Sequence, residues 1–547
     1  MRGKNGRYRY GRFSPSPNLR YNQAHMKKCA CFQIYTLLLL SIIFLLVGCE
    51  RPDPAVDAST PTVEQLPPPT SALDTNPNNI PAPPTPILQQ PNIAGTSLPT
   101  YAGIPTPDPP HPVAAGEDNF LIHTVTAGDT LGYIAQQYGS NLEELLSINQ
   151  LEQADLLFVG QDLRIPTDVT LFAPSFKVIP DSELVYGPST QGFDVRAFVT
   201  WHNGRLLTYQ QEVEGQILPG PEIVSLVANR YSVNPRLLLA LLEYRSGWVT
   251  QQTGGDEDFP LGYVNNKSKG LYAQLSWAAN QMNWGYYGRS EGNLNSFSIS
   301  DNTRVAFAAD INHGTVGMQR VLGVHTNATY ESWQQDVSES GFFATFNRLF
   351  GNPFAYTIDP LLPPNLMQPP LQLPWASNET WYFTGGPHGG WATGSAWAAL
   401  DFVPESDQLG CVQSDYWVRA MSDGLVTRSG FGAVVIDTDG DGYAGTGWAI
   451  TYMHLETRDR IPAGTWVQTG DPLGHPSCEG GFSNGTHLHV ARSYNGRWIA
   501  ADNNVPFDMG GWVSQGTGTE YDGFLIRGGI TKEACVCREE LNAISGE

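Results

Sequence analysis

The sequence predicts a multidomain chain: a small α+β unit, a mainly helical middle, and a mostly antiparallel β domain near the C-terminus. Three observations carry this. At 547 residues the chain is longer than one hydrophobic core organises. Its apolar pattern mixes strand and helix over 122–166, takes helical spacing over 219–355, and becomes short, Gly-punctuated strands from about residue 375. A Pro-rich stretch, 50–115, separates an N-terminal apolar run from the first folded unit.

The elements follow in chain order. Residues 1–25 read as upstream read-through, with Met26 as the start. Lys27 and Lys28 precede the apolar run YTLLLLSIIFLLVG, which ends at Cys49, the layout of a secretory signal over 26–49. Leu46-Val47-Gly48-Cys49 resembles a bacterial lipobox, which implies an acylated Cys49 anchoring the mature chain to the membrane from outside. The alternative is a retained signal anchor, for which the run is short. The net charge of −22 argues against nucleic acid as a partner, because phosphate binding wants clustered Lys and Arg. Residues 50–115, with PPPT, PAPPTP and PTPDPPHP, bury too little apolar surface to fold and read as a semi-rigid tether.

Residues 120–167 form the α+β unit. A strand, HTVT, precedes a helix that Asp129 is placed to cap, with Ile134, Ala135 and Tyr138 on one face. A second helix, LEELLSINQ, and a closing strand, LRIP, complete a βααβ order. With AGDTL, IN and GQDLRIP in place, the segment resembles the lysin motif (LysM), which implies binding of peptidoglycan glycan.

Residues 168–215 read as a β-hairpin connector, with a tight turn at Asn203-Gly204 inside VRAFVTWHNGRLLTY. Residues 216–360 read helical, with Pro235 suited to a first helical turn. SVNPRLLLALLEYRSGW followed by KGLYAQLSWAA resembles lysozyme-like lytic transglycosylases. Their catalytic glutamate directly precedes the Ser-Gly-aromatic triplet, but here Arg245 stands ahead of Ser246-Gly247-Trp248. Glu243 lies two residues earlier, about 200° around a helix. The domain therefore reads as non-catalytic, with a shifted use of Glu243 as the alternative.

The C-terminal region, 375–530, holds the chemistry. His388 in GGPHGG and Asp401 in ALDF are thirteen residues apart, His454 follows in YMHL, and His487 and His489 in THLHV share one orientation on a strand. Two imidazoles and one carboxylate suit a zinc set that keeps a fourth position open for water. The order GGPH, ALDF, YMHL, GTHLH resembles the β-lytic and staphylolysin branch of lysostaphin-like zinc endopeptidases, over roughly 375–530. The resemblance implies one Zn2+ per chain, ligated by His388, Asp401 and His489, and catalytic roles for His487 and His454. His487 would activate the water and protonate the leaving amine; His454 would stabilise the oxyanion. It also implies peptide stems or bridges of peptidoglycan as substrate. The rival reading is a non-catalytic peptidoglycan-binding or hydrolase-activating lipoprotein. His475, in LGHPSC, reads as structural. Asp437, Asp439 and Asp441 resemble half a calcium loop, but the twelfth position is Trp448, so a polar hairpin turn is expected.

Cleavage before Cys49 leaves Cys411, Cys478, Cys535 and Cys537 besides the lipidated cysteine, which permit three pairings. Cys411–Cys478 is favoured, because Cys478 sits nine residues before His487 and can brace the metal strand. Cys535 and Cys537, in a tail spanning 531–547, either pair together or tie that tail down.

Overall fold

Asp194 and Asn203 bracket a segment whose structure departs from the sequence expectation. The computed structural model describes residues 120–546 except short stretches between 127 and 170, residue 293 and residues 406–408. The signal, the lipobox at Cys49 and the tether lie outside the described residues. Among the described residues no helix is long and apolar enough to cross a membrane.

In the first unit, β1 (Phe120–Thr124) pairs antiparallel with β2 (Asp162–Pro166) beside the helix Leu131–Tyr138. Leu131, Ile134, Ala135, Leu145, Leu163 and Ile165 form its core. Most of the second helix lies outside the described residues. The cap of the first helix is Thr130, whose Oγ1 accepts from Tyr133 N at 3.1 Å. Asp129 instead turns back to accept from Thr126 N at 2.8 Å and contact His123 Nε2 at 3.0 Å.

The expected hairpin at Asn203-Gly204 is a helix end. Val195–His202 is helical, capped by Asp194 accepting from Ala197 N at 2.9 Å, and it buries Val195 and Val199 on one face. Asn203 takes φ 51°, the left-handed conformation that stops a helix as readily as it turns a hairpin. An apolar i, i+4 pair with a cap decided between the two. The hairpin lies just beyond it: β3 (Gln210–Val213) and β4 (Gln216–Pro219) pair around Glu214-Gly215, both at positive φ.

The middle is helical as expected, with helices Gly220–Tyr231, Pro235–Ser246, Leu271–Ser290, His313–Gly323, Tyr330–Asp336 and Phe342–Phe350. A small hairpin of β5 (Ser296–Ser298) and β6 (Arg304–Ala306) interrupts them. Pro235 opens its helix behind Asn234, whose side chain accepts from Arg236 N at 2.9 Å. Leu237 to Leu242 are all buried, so this helix is enclosed on every side. Leu271–Ser290 and His313–Gly323 cross at Gly285 and Gly317, where an added Cβ on Gly285 would stand 2.7 Å from Gly317 Cα. The carboxylate of Glu243 is tied into this framework. It accepts from Val249 N at 3.2 Å, Thr250 N at 3.0 Å and Thr250 Oγ1 at 2.6 Å, and meets Arg348 Nη2 at 3.1 Å. Those bonds leave it a clamp on the helix end.

The C-terminal region contains β7 (Thr380–His388), β8 (Ala399–Pro404), β9 (Val418–Arg419), β10 (Gly424–Gly430), β11 (Ala433–Asp437), β12 (Trp448–Met453), β13 (Trp466–Val467), β14 (Pro472–Gly474), β15 (Leu488–Tyr494), β16 (Arg497–Trp498), β17 (Asp508–Met509), β18 (Trp512–Gly516), β19 (Gly523–Arg527), β20 (Ile530–Glu533) and β21 (Ala543–Ser545). The main antiparallel sheet runs β13-β10-β11-β12-β15-β8-β7-β21, with β16 beside β15. A four-stranded sheet runs β17-β18-β19-β20.

Strand alternation gives the main sheet two faces with different tenants. Leu488 and Val490 point into one core with Phe383, Leu400, Phe402, Ile450 and Tyr452. Ala491 points the other way, and with Ala399, Met453, Trp391 and Trp498 it joins the core of the helical middle. His489 shares that second face. The face that carries His489 is thus the one on which the helices pack.

Candidate metal centre

His388 closes β7, Asp401 sits in β8 and His489 in β15. Strand pairing sets Asp401 directly opposite His489. Between β7 and β8, Gly385 pairs with Asp401 and His388 with Ala399, so three steps on one strand span two on the other. That bulge swings His388 alongside Asp401. Gly385 is required at this point, since a Cβ there would stand 2.8 Å from Asp401 Oδ2.

The donor atoms converge. His388 Nε2 lies 3.0 Å from His489 Nδ1, and Asp401 Oδ1 lies 3.2 Å from each of them. The outer ring nitrogens face carbonyl oxygens: His388 Nδ1 donates to Gly386 O at 2.8 Å, and His489 Nε2 to Gly390 O at 3.1 Å. A neutral imidazole has one N–H, so both inward nitrogens present lone pairs to each other. Asp401 Oδ1 is buried and accepts no hydrogen bond. Three unshared electron pairs held together in a buried place need a cation between them. Ligand bonds of about 2.0–2.2 Å put the donors of a tetrahedral site about 3.3 Å apart, close to the spacing here. The residues therefore fit a zinc ion, and the outer carbonyls fix the ring tautomers as such ligands require.

The electrostatics agree. Burial opposes ionisation of Asp401, yet the imidazoles of His388 and His487 hold it well below the usual carboxylate range. Burial works against the charged form of His388 too, but Asp401 raises it overall. His489 is lowered, by burial first, although the neighbouring Asp401 carboxylate opposes the shift.

His454 and His487 stand beside this set with ring centroids 4.3 Å apart, and His487 Nε2 is 3.9 Å from Asp401 Oδ1. Both direct Nδ1 to a carbonyl, His454 to Glu479 O and His487 to Gly485 O, each at 2.8 Å. At rest, both Nε2 atoms are therefore acceptors; each can donate only after taking a proton. His454 takes φ 62°, strained for a residue with a Cβ. Its carbonyl is pinned there by Ser477 N at 2.6 Å and Ser477 Oγ at 2.9 Å.

Glu479 braces the same turn. Its carboxylate accepts from Thr457 N at 2.9 Å and Thr457 Oγ1 at 2.7 Å, with Arg460 Nη1 at 3.4 Å, while its own carbonyl holds the His454 ring. Glu479→Ala is expected to lower kcat about tenfold, a typical cost for a residue that orients a functional histidine, with KM and metal content unchanged. Glu479→Gln should recover part of the loss. Steady-state kinetics with metal analysis checks this, and an unaltered kcat in the alanine variant would remove the role.

Burial, with His487 and His489, pushes His454 down to about 3. The unfolded value is near 6.5, so in acid the unfolded chain takes the proton first. Stability from a neutral His454 is present above about pH 6.5 and is lost as pH falls toward 3. In metal-free protein, His454→Gln should reduce the loss between pH 7 and 4.5 by about 2 kcal/mol. Parallel denaturation profiles for the two proteins would count against it.

All five residues read from the sequence meet here. His475 does not: it is buried elsewhere, donating from Nδ1 to Tyr416 O at 2.7 Å against the Trp417 ring, in keeping with a structural role. Tyr521 was missed. Its ring stacks on His388 at 4.2 Å, its backbone bonds Gly386 N and Pro387 O, and burial with nearby Asp401 pushes its phenol up to about 12. Nothing in the string GTEYDG signals that position. Cys411 pairs with Cys478, as favoured, and Cys535 with Cys537. The first disulfide joins the loop before His487 to the one at Gly410, whose carbonyl accepts from Thr486 N at 2.9 Å. Asp437, Asp439 and Asp441 bring oxygens within 4.8 Å of one another, and they accept mainly from backbone N–H groups of their own turn between β11 and β12.

Residues 123–166 match the LysM domain family, and residues 177–365 match the family described as LasA, N-terminal domain. The second match covers the helical middle together with most of the connector. Protease LasA of Pseudomonas aeruginosa, from strains UCBPP-PA14 and PAO1, is 26% identical over 342 residues, covering 58% of this chain and 74% of the relative. Among solved structures, the deep-sea M23 metalloprotease pseudoalterin is 26% identical, covering 31% of this chain and 96% of its own, with a TM-score of 0.26. The catalytic domain of lysostaphin from Staphylococcus simulans is 21% identical, covering 22% and 87%, with a TM-score of 0.16.

Proposed function

We propose that this chain, a LysM-bearing lysostaphin-like metalloendopeptidase akin to the LasA proteases, hydrolyses peptide bonds in bacterial peptidoglycan at the centre built by His388, Asp401 and His489. The observation that carries the reading is the convergence of two imidazole lone pairs and a carboxylate oxygen within 3.2 Å, beside two further histidines.

One Zn2+, held by those three residues, would supply Lewis acidity to the attacking water and the scissile carbonyl. The chain's own residues handle the protons. His487 takes the proton of the attacking water at Nε2 and returns it to the leaving amine. Its Nδ1 bond to Gly485 O keeps that Nε2 free at rest. His454 faces the same space, beside the place where the carbonyl oxygen gains charge. Tyr521, stacked on its ring, and the carbonyl of Gly386 hold His388 in place.

The LysM unit brings the chain to glycan strands, and acylation at Cys49 with the 50–115 tether places it at the outer face of the membrane. The helical middle, lysozyme-like in its sequence string, is non-catalytic in this reading, since Glu243 is held by its own helix end.

Digestion of purified peptidoglycan by the metal-loaded full chain, with products resolved by mass, tests the proposal. New peptide termini, intact glycan and sensitivity to a chelator are expected. Glycan release, or cleavage that survives chelation, would overturn it. No cleavage at all would favour the binding or activating lipoprotein.

A further inference from the structure

A guanidinium carries five N–H donors and a charge it cannot lose, so enclosing one without an acceptor is costly. Arg428, on β10 opposite Val435, is half-buried and comes close to that position. It lines a cavity of about 240 Å³ between the helical middle, through Tyr186, Asn229 and Ser232, and the His489-bearing face of the main sheet. Among the described residues nothing accepts a hydrogen bond from it or pairs with its charge, and its Nε is buried without a partner. What it has is the face of Trp391, 5.8 Å away.

A second cation lies close by. Arg230 sits over the same ring at 5.0 Å, and Glu214 engages it with both oxygens, at 2.7 and 2.9 Å. Both of its oxygens face Arg230, and neither makes a bond to Arg428. Two guanidinium groups thus flank one indole with one counter-charge between them. Burial, with Arg230 as neighbour, lowers Arg428 to about 10, the direction expected of a cation that lacks an anion. Thr451 and Ser493 also line the cavity, and among the described residues neither hydroxyl has a hydrogen-bond partner. The Arg428 fork and two hydroxyls thus line one partly open cavity.

We propose that this cavity is an oxyanion-binding site, in which the Arg428 fork takes two oxygens of a carboxylate, sulfate or phosphate group and the hydroxyls of Thr451 and Ser493 complete the shell. The geometry favours an oxyanion over chloride, because a planar fork matches paired oxygens and a spherical ion uses only one edge of it. The site is separate from the metal ligands and does not depend on the peptidase reading. Its occupant would tie the helices to the sheet at their seam, so binding and stability are linked.

Thermal unfolding of the full chain, titrated with sodium acetate, sodium sulfate or sodium chloride from 0 to about 20 mM at fixed ionic strength, tests this. Acetate or sulfate should give a saturable rise in Tm of about 2–4 °C that chloride does not. Arg428→Met should abolish the response, and Arg428→Lys, which keeps charge but loses the fork, should weaken apparent affinity about tenfold. Thr451→Val with Ser493→Ala should weaken it while Arg428 stays in place, so a poorly folding Arg428→Met variant leaves the proposal open to refutation. Saturation at lower acetate than sulfate assigns a carboxylate ligand; the reverse assigns a tetrahedral one. Equal responses to all three salts, or an unchanged sulfate response in the Arg428→Lys and hydroxyl variants, would overturn the site.

Discussion

Replacement of His489 by alanine is expected to strip the metal and reduce peptide hydrolysis more than about 1,000-fold, the scale of losing both the Lewis acid and its activated water. His489 Nδ1 is the donor that closes the triangle with His388 Nε2 and Asp401 Oδ1, at 3.0 and 3.2 Å. Without it the two remaining donors hold the ion weakly, and Asp401 Oδ1 stays buried with no hydrogen-bond donor of its own. The fold should survive. His489 lies between β8 and β12 in a strand whose neighbours Leu488 and Val490 keep the opposite core intact. Metal analysis with circular dichroism separates the outcomes: a folded, metal-free, inactive variant is expected. A variant that holds stoichiometric metal would show that the ligand set is misassigned.

Replacement of His487 by alanine is expected to retain the metal and lower kcat about 100- to 10,000-fold, the span of general acid–base assistance, with a smaller change in KM. His487 Nε2 stands 3.9 Å from Asp401 Oδ1, outside the triangle, and its Nδ1 is bound to Gly485 O at 2.8 Å. The ring can therefore be removed without disturbing a donor. Two residues apart on one segment, His487 and His489 should give opposite metal analyses and similarly poor turnover. If His487→Ala loses metal, or cuts at the normal rate, the division of labour between them is wrong.

Much of this site was legible because donor chemistry and strand period are written in side-chain identity. His388, Asp401, His454, His487 and His489 are few enough, and ordered distinctively enough, to be read directly, and all five come together. Helical spacing over the middle, the first helix between its two strands in the first unit, and the Cys411–Cys478 pairing were legible for similar reasons. The tight turn assigned to Asn203-Gly204 failed because that dipeptide signals positive φ, and positive φ ends a helix as well as it reverses a strand. Asp129 failed as a cap because the better-placed oxygen, Thr130 Oγ1, was next to it.

The sequence by itself determined which atoms can bind a metal, which strand pattern presents them, and that a LysM unit and a helical middle share the chain. Only the tertiary structure decided how those atoms are prepared. Carbonyls of Gly386, Gly390, Glu479 and Gly485 choose the proton-bearing nitrogen of each histidine. Any residue type can supply a carbonyl, so its direction leaves no mark in a residue string. The same holds for the β7 bulge that aims His388, the strained His454 turn, Tyr521 stacked on His388, and Arg428 facing a seam between segments distant in sequence. Each depends on where the backbone passes after folding, and that is fixed by packing among residues far apart in the chain.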